Sequence, residues 1–223
     1  DVESWNGTNW TEVAELNSDM RSGTGFGTAT AGYVIGGVRG GSTSDAVESW
    51  NGSSWTETTE INTARAGAAG AGITTAGLIF GGTTAAPAIT GITESWNGSA
   101  WSETSDMPTA ADSVFGGGTS TLAAAAGGSV PSKITTLQLW DGSNWTTNPT
   151  GLAGQRSSGG TNSSPTQGNL LVTGGTGPGP TNYNPTATEE LSFPPPTSAI
   201  LREGMLFLSG GTTLKGFGKA GGI

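Results

Sequence analysis

Two residue types that most often carry chemistry are missing from this 223-residue chain: it has neither cysteine nor histidine. Their absence removes disulfides, thiolate and imidazole metal ligands, the thiolate nucleophile and the commonest general base. A serine nucleophile would have no imidazole to take its proton. Paired carboxylates of the kind that hydrolyse glycosides remain chemically available, with Asp112 and Asp141 as candidate acids. Most acids, however, recur at fixed places: Glu3, Glu48 and Glu94, then Glu12, Glu57 and Glu103. Such recurrence assigns them a structural task, accepting hydrogen bonds from a neighbouring unit. Arg21, Arg65 and Arg156 also recur. They read either as a guanidinium ring on one face, suited to a ligand, or, more strongly, as salt bridges and contacts to loop carbonyls. No catalytic residue, no cofactor and no metal are expected.

The elements that position these residues are marked by the tryptophans. All eight fall in four pairs, Trp5/Trp10, Trp50/Trp55, Trp96/Trp101 and Trp140/Trp145, spaced five apart within a pair and 45, 46 and 44 residues from pair to pair. One supersecondary unit has therefore been copied. In the second copy, the apolar run Tyr33-Val34-Ile35 ends in Gly36-Gly37. Ala46-Val47-Glu48-Ser49-Trp50 follows, then the turn Asn51-Gly52-Ser53-Ser54, then Trp55-Thr56-Glu57-Thr58. Asn-Gly is a hairpin signal, so the two indoles should face each other across a hairpin or flank its end. Ile61–Arg65 and a small-residue stretch lead to the next apolar run, Leu78-Ile79-Phe80-Gly81-Gly82. That makes four strands in about 45 residues, a period that matches a propeller blade, and no window carries a helical apolar spacing. The apolar runs recur at Leu122–Gly128, Leu170–Gly175 and Met205–Gly211. The strand before the turn recurs at Val2–Trp5, Thr93–Trp96, Leu137–Trp140 and, degenerate, Glu189–Phe193.

Crowding near a propeller axis accounts for the composition. Gly numbers 40 and only 11% of residues are charged. Stretches such as Ala66–Gly72 and Ala123–Gly128 suit the innermost strand, double glycines permit close backbone approach, and the indoles supply contact between blades. A net charge of −9 with no basic stretch disfavours nucleic acid and anionic lipid. No apolar run reaches membrane-spanning length, so no membrane insertion is expected. No signal peptide is visible. The chain begins at Asp1, inside a repeat, and so is expected to be a fragment, a processed product or the ordered part of something longer.

The combination of apolar strand and double glycine (Val34-Ile35-Gly36-Gly37), Glu-x-Trp-Asn (Glu48–Asn51), a second tryptophan (Trp55) and a loop arginine (Arg65) resembles kelch repeats over about residues 1–193. Arg21 and Arg156 fit the same place; the third unit has Ala111-Asp112 there and departs. The resemblance implies an all-β, kelch-like β-propeller of four-stranded blades. Copper-radical propellers need His and Cys, which this chain lacks. The wording Thr93-Glu94-Ser95-Trp96-Asn97-Gly98-Ser99-Ala100-Trp101, the loop Asn62–Arg65 and the run Arg202–Gly211 are similar to kelch-like virion structural proteins of marine bacteriophages that infect cyanobacteria. That resemblance implies a tail or fibre component of the virion in an oligomeric assembly. Its partners would be other virion proteins and a host-surface glycan or protein. A bacterial secreted or surface kelch-type carbohydrate-binding protein is the alternative.

Residues 194–223 either close the last blade or connect to another chain or domain. In the closing version Met205–Gly211 supplies the inner strand and Val2–Trp10 the outer pair, giving five blades; otherwise the array is a fragment of a larger or open propeller. Pro194-Pro195-Pro196 cannot sit in a central strand. The loops after the double glycines, Val38–Ala46, Thr83–Ile92, Ser129–Thr136 and Thr176–Thr188, differ in length and content. Binding residues concentrate on such loops. Asn182, Tyr183 and Asn184, together with Arg39, are the candidate ligand-binding residues.

Overall fold

The structure is a computed structural model, and it describes residues 1–85, 88–162, 169–178, 186–192, 206–209 and 213–216. Every regular element among these is a strand. The chain divides into two compact units, Asp1–Ser192 and Phe193–Ile223.

The first unit repeats one antiparallel sheet. Sheet 1 runs Thr24–Thr28, Ala31–Ile35, Val47–Trp50, Trp55–Thr58 in spatial order; sheet 2 runs Ala69–Ile73, Ala76–Phe80, Thr93–Trp96, Trp101–Thr104; sheet 3 runs Phe115–Gly118, Ala123–Ala126, Leu137–Trp140, Trp145–Asn148. Sheet 4 has three described strands, Gly160–Thr161, Asn169–Thr173 and Thr188–Ser192. Ahead of them stands a lone hairpin, Glu3–Trp5 with Trp10–Glu12. The Asn-Gly signals form Asx turns: Asn51 Oδ1 accepts from the Ser53 and Ser54 amides at 2.9 Å, and Asn97 and Asp141 do the same in the next two units. The register sets each tryptophan directly opposite its mate, with ring centroids 5.1–5.5 Å apart.

First strands of successive sheets run beside one another, Thr24–Thr28 next to Ala69–Ile73, and that next to Phe115–Gly118. Glycine permits this closeness. A Cβ at Gly77 would overlap the Phe26 ring, and one at Gly116 would lie 2.5 Å from Ala69 Cβ and 2.8 Å from the Phe80 ring. In sheet 3 the strand beside a neighbouring sheet's first strand is Phe115–Gly118, and the Ala123–Gly128 stretch that composition singled out comes after it. Ala123–Ala126 is the second strand, its four alanines at most 1% exposed between two layers. The double glycines join sheets. Gly37, Gly82 and Gly128 amides donate to the carbonyls of Arg65, Ala111 and Arg156 at 2.8–2.9 Å. Each preceding glycine has positive φ and no room for a Cβ against that same carbonyl.

A second backbone chain links the sheets. The Gly67 amide donates to Ser22 O (2.8 Å), Ser113 to Gly67 O (2.7 Å) and Ser158 to Ser113 O (3.0 Å). These four residues stand two positions before their first strands and share a left-handed backbone, φ +53 to +65°.

The indoles stitch sheets by their edges. Nε1 of Trp50, Trp96 and Trp140 donates to the first hairpin turn of the same sheet, at Ala29, Thr74 and Ser120 O. Nε1 of Trp55 and Trp101 donates back to Ala14 O and Thr59 O, and Trp145 donates to the Thr93 hydroxyl. Phe26 and Tyr33 of sheet 1 meet Trp101 and Trp96 of sheet 2, and Phe80 meets Trp145 at 4.8 Å. Each such ring contact contributes about 0.5–1.5 kcal/mol beyond its buried area.

The second unit holds one described hairpin, Leu206–Ser209 paired with Thr213–Gly216. Its first strand lies inside the Met205–Gly211 run, and the strand that answers it comes after the double glycine.

Candidate functional site

Four equivalent positions in the third strands carry Glu48 and Glu94, which sequence singles out, and Gln138 and Glu189. Glu94 is fully buried. Its Oε2 accepts the Asn62 amide (2.7 Å) and Asn62 Nδ2 (2.8 Å), and its Oε1 accepts Arg65 Nη2 (2.7 Å) and the Thr63 amide (3.2 Å). Arg65, equally buried, also donates to Ile92 O at 2.7 Å. The entry segment before a sheet is thereby clasped to that sheet's third strand. Burial pushes the Arg65 guanidinium below its ordinary range, and Glu94, Asp106 and Glu103 pull it back. Glu94 accepts from four donors, one of them the guanidinium, which is the condition on which a buried carboxylate is tolerated, while Arg65 Nε is buried without a hydrogen-bond partner among the described residues.

Sheet 4 repeats the clasp. Arg156 pairs with Glu189 and donates to Ala187 O, while the Ala153 amide donates to Glu189 Oε2. Burial lowers the Arg156 pKa as well. Sheet 3 has Ala111 in the arginine position, and the third strand there carries Gln138, neutral, exchanging two bonds with the Thr109 backbone at 2.8 and 3.0 Å. Carboxylate with arginine and carboxamide without it go together.

Sheet 1 corrects the register read from sequence. Met20, not Arg21, stands in the Arg65 position, because Arg21 pairs with Val38 as Asp112 pairs with Ser129 and Ser157 with Thr176. Arg21 is exposed. The guanidinium comes instead from the loop: Arg39 Nη1 contacts Glu48 Oε1 at 2.7 Å with 11% of its side chain exposed, while Asn17 supplies the amide and Nδ2 bonds. Arg39, a binding candidate from sequence, thus takes part in a clasp through Nη1, while its Nε and Nη2 are buried without a hydrogen-bond partner among the described residues. Nothing in the repeat spacing could have shown this, since Arg39 lies outside the repeated positions. Asn182, Tyr183 and Asn184 lie outside the described residues.

The loops above the clasps fold into short hairpins, Val38–Arg39/Ser42–Thr43, Thr83–Thr84/Ala88–Ile89 and Ser129–Val130/Ser132–Lys133. They rise from the end at which the first strands begin. A cavity of about 590 Å³ is lined by Gly23–Thr28, Ala68–Ile73, Gly116–Ser120 and parts of sheet 4, with no charged side chain in its wall. Asp1, Glu12 and Glu15 form an exposed carboxylate cluster beside the first hairpin, and of the three only Glu12 was marked by sequence spacing. Among the described residues no helix is long and apolar enough to cross a membrane.

No protein-family model matches the chain, and no curated protein sequence does. The chain is similar in fold to the solved structure of YjhT, with 16% identity over 83% of this chain and 70% of that one, and a TM-score of 0.70.

Proposed function

We propose that the repeated sheets are blades of a kelch-like β-propeller, five in number, and that the protein is a non-enzymatic structural component of a bacteriophage virion. Its place is the tail or fibre, where the propeller is a scaffold for host-surface recognition or for contacts with other virion proteins. No cofactor takes part. The observation that carries the scaffold reading is the use of the charged residues. At the third strands of the four sheets the carboxylate or carboxamide is held by the entry segment of its own sheet, and Arg39, Arg65 and Arg156 pair with the three carboxylates. What varies from unit to unit is the loop hairpins above these clasps, the usual setting for recognition on a rigid frame. The virion assignment is supported by the resemblance of the repeat wording to phage kelch-like proteins.

Cryo-EM of the source particle tests it. Density for this chain in the tail or fibre is the expected result, and density confined to a non-virion location refutes it. Saturable binding on a glycan array, together with a bacterial chromosomal locus, would establish the bacterial carbohydrate-binding alternative instead.

A further inference from the structure

Only Asn6, Asn51 and Asn97 precede glycine in this sequence, and all three open turns between paired tryptophans. A glycine has no side chain to shield its nitrogen, so that nitrogen can attack the carboxamide of the asparagine before it. The turns supply what such an attack needs. Each asparagine and its glycine are exposed. The Gly7, Gly52 and Gly98 amides donate to no acceptor among the described residues, which leaves them open to solvent base. The electrophile is polarised as well. Asn51 Oδ1 accepts the Ser53 and Ser54 amides at 2.9 Å and the Ser53 hydroxyl at 3.0 Å. Asn97 Oδ1 accepts the Ser99 and Ala100 amides and the Ser99 hydroxyl, each at 2.9 Å. Asn6 Oδ1 accepts the Thr8 and Asn9 amides, also at 2.9 Å. Donors converging on a carbonyl oxygen favour addition at its carbon, because they bind more strongly as that oxygen takes up negative charge.

The fourth turn already carries the acid. Asp141 stands in the same place before Gly142, and its Oδ1 accepts the Ser143 and Asn144 amides at 2.8 Å. Those amides hold its carboxyl below the ordinary range. A turn of this shape therefore accommodates a carboxylate where the other three have a carboxamide. Kept ionised, Asp141 is also a poor target for its own glycine nitrogen.

We propose that Asn51 and Asn97, with Asn6, are sites of self-modification, at which the turn converts its own asparagine into an acid. The glycine nitrogen loses its proton to solvent base and bonds to the asparagine Cγ. The Cγ–Nδ2 bond breaks, and Nδ2 takes a proton from water and leaves as ammonia. Water then opens the cyclic imide at one of its two carbonyls, and the glycine nitrogen regains a proton. Opening at Cγ leaves aspartate; opening at the main-chain carbonyl leaves isoaspartate. The net change is one water consumed and one ammonia released. Each conversion adds one negative charge to a chain that already carries −9.

The test is to hold the folded protein in mildly alkaline buffer and map its peptides by mass spectrometry over time. Aspartate and isoaspartate should accumulate at Asn6, Asn51 and Asn97, with no conversion at Asn9, Asn17 or Asn62 and no isoaspartate at Asp141. If Asn51 and Asn97 stay intact for as long as the urea-unfolded chain takes to convert fully, the proposal is overturned. Acid without isoaspartate would mean direct hydrolysis and remove the glycine nitrogen from the reaction. Ser53→Ala deletes one donor to Asn51 Oδ1 and leaves Asn97 as a reference in the same molecule. The ratio of the Asn51 rate to the Asn97 rate should fall about two- to tenfold, the worth of one hydrogen bond. An unchanged or increased ratio overturns the assistance assigned to the turn.

Discussion

Removing Arg65 would leave a buried carboxylate with neutral donors only. In the Arg65→Met variant, Glu94 keeps the Asn62 amide, Asn62 Nδ2 and the Thr63 amide, but loses its 2.7 Å charge-assisted bond inside a site with no exposed surface. Breaking a buried pair from one side costs about 3–5 kcal/mol. For a chain of this size each kcal/mol moves Tm by roughly 2–4 °C, so the single variant should melt about 6–20 °C lower. Sheet 3 carries the natural remedy, Ala111 with Gln138. The double variant Arg65→Met/Glu94→Gln removes the charge along with its partner and should lie within about 1.5 kcal/mol of the parent, since replacing both members of a buried pair is far less harmful than removing one. Urea unfolding followed by tryptophan fluorescence gives all four corners of the cycle. A single variant costing under about 1 kcal/mol, or a double variant no better than the single, would refute the reasoning that the guanidinium is there to neutralise Glu94.

Three further outcomes are expected. Gly77→Ala, which drives a methyl into the Phe26 ring, should cost about 1–3 kcal/mol, and Phe26→Leu in the same chain should recover part of it, read by denaturant midpoint. Trp101→Phe keeps the ring against Phe26 but loses the bond to Thr59 O at 3.1 Å, and should lower stability by about 0.5–1.5 kcal/mol in the same assay. The Asp141 carboxyl, held below its ordinary pKa by the Asn144 and Ser143 amides, gives its turn a contribution that is complete above the unfolded carboxylate pKa and fades as pH falls through the lower folded value. NMR titration should place it below the ordinary aspartate pKa, and Asp141→Asn, the residue found at Asn6, Asn51 and Asn97, should remove the acid limb without unfolding the turn.

The strands and hairpin turns were legible because each depends on local chemistry repeated in step. The indole pairs, the Asx turns and the double glycines all stand where their spacing placed them. Which small-residue stretch would run beside the neighbouring first strand was not legible. Ala123–Ala126 and Phe115–Gly118 are both small, and the difference between them is whether the next layer is a sheet or a neighbouring first strand, a tertiary fact. The arginines were legible as structural cations in two sheets of four. Arg21 misled because it sits one residue past the clasp position, and Arg39 was hidden because a loop can deliver the same guanidinium from outside the period. The carboxamide in sheet 3 was open to inspection as Gln138, but its meaning needed the sight of Ala111 where an arginine would stand.

The handover of one amide bond from Ser22 to Gly67 to Ser113 to Ser158 also has a mechanical meaning. Side-chain layers can slide and repack under load, whereas these peptide groups sit in series at 2.7–3.0 Å and must stretch together. A pull on any one sheet is therefore felt by all of them through the main chain. A protein held at one of these sheets and loaded at another would carry tension along this row of amide bonds, leaving its indole contacts unstrained until the row itself gives way.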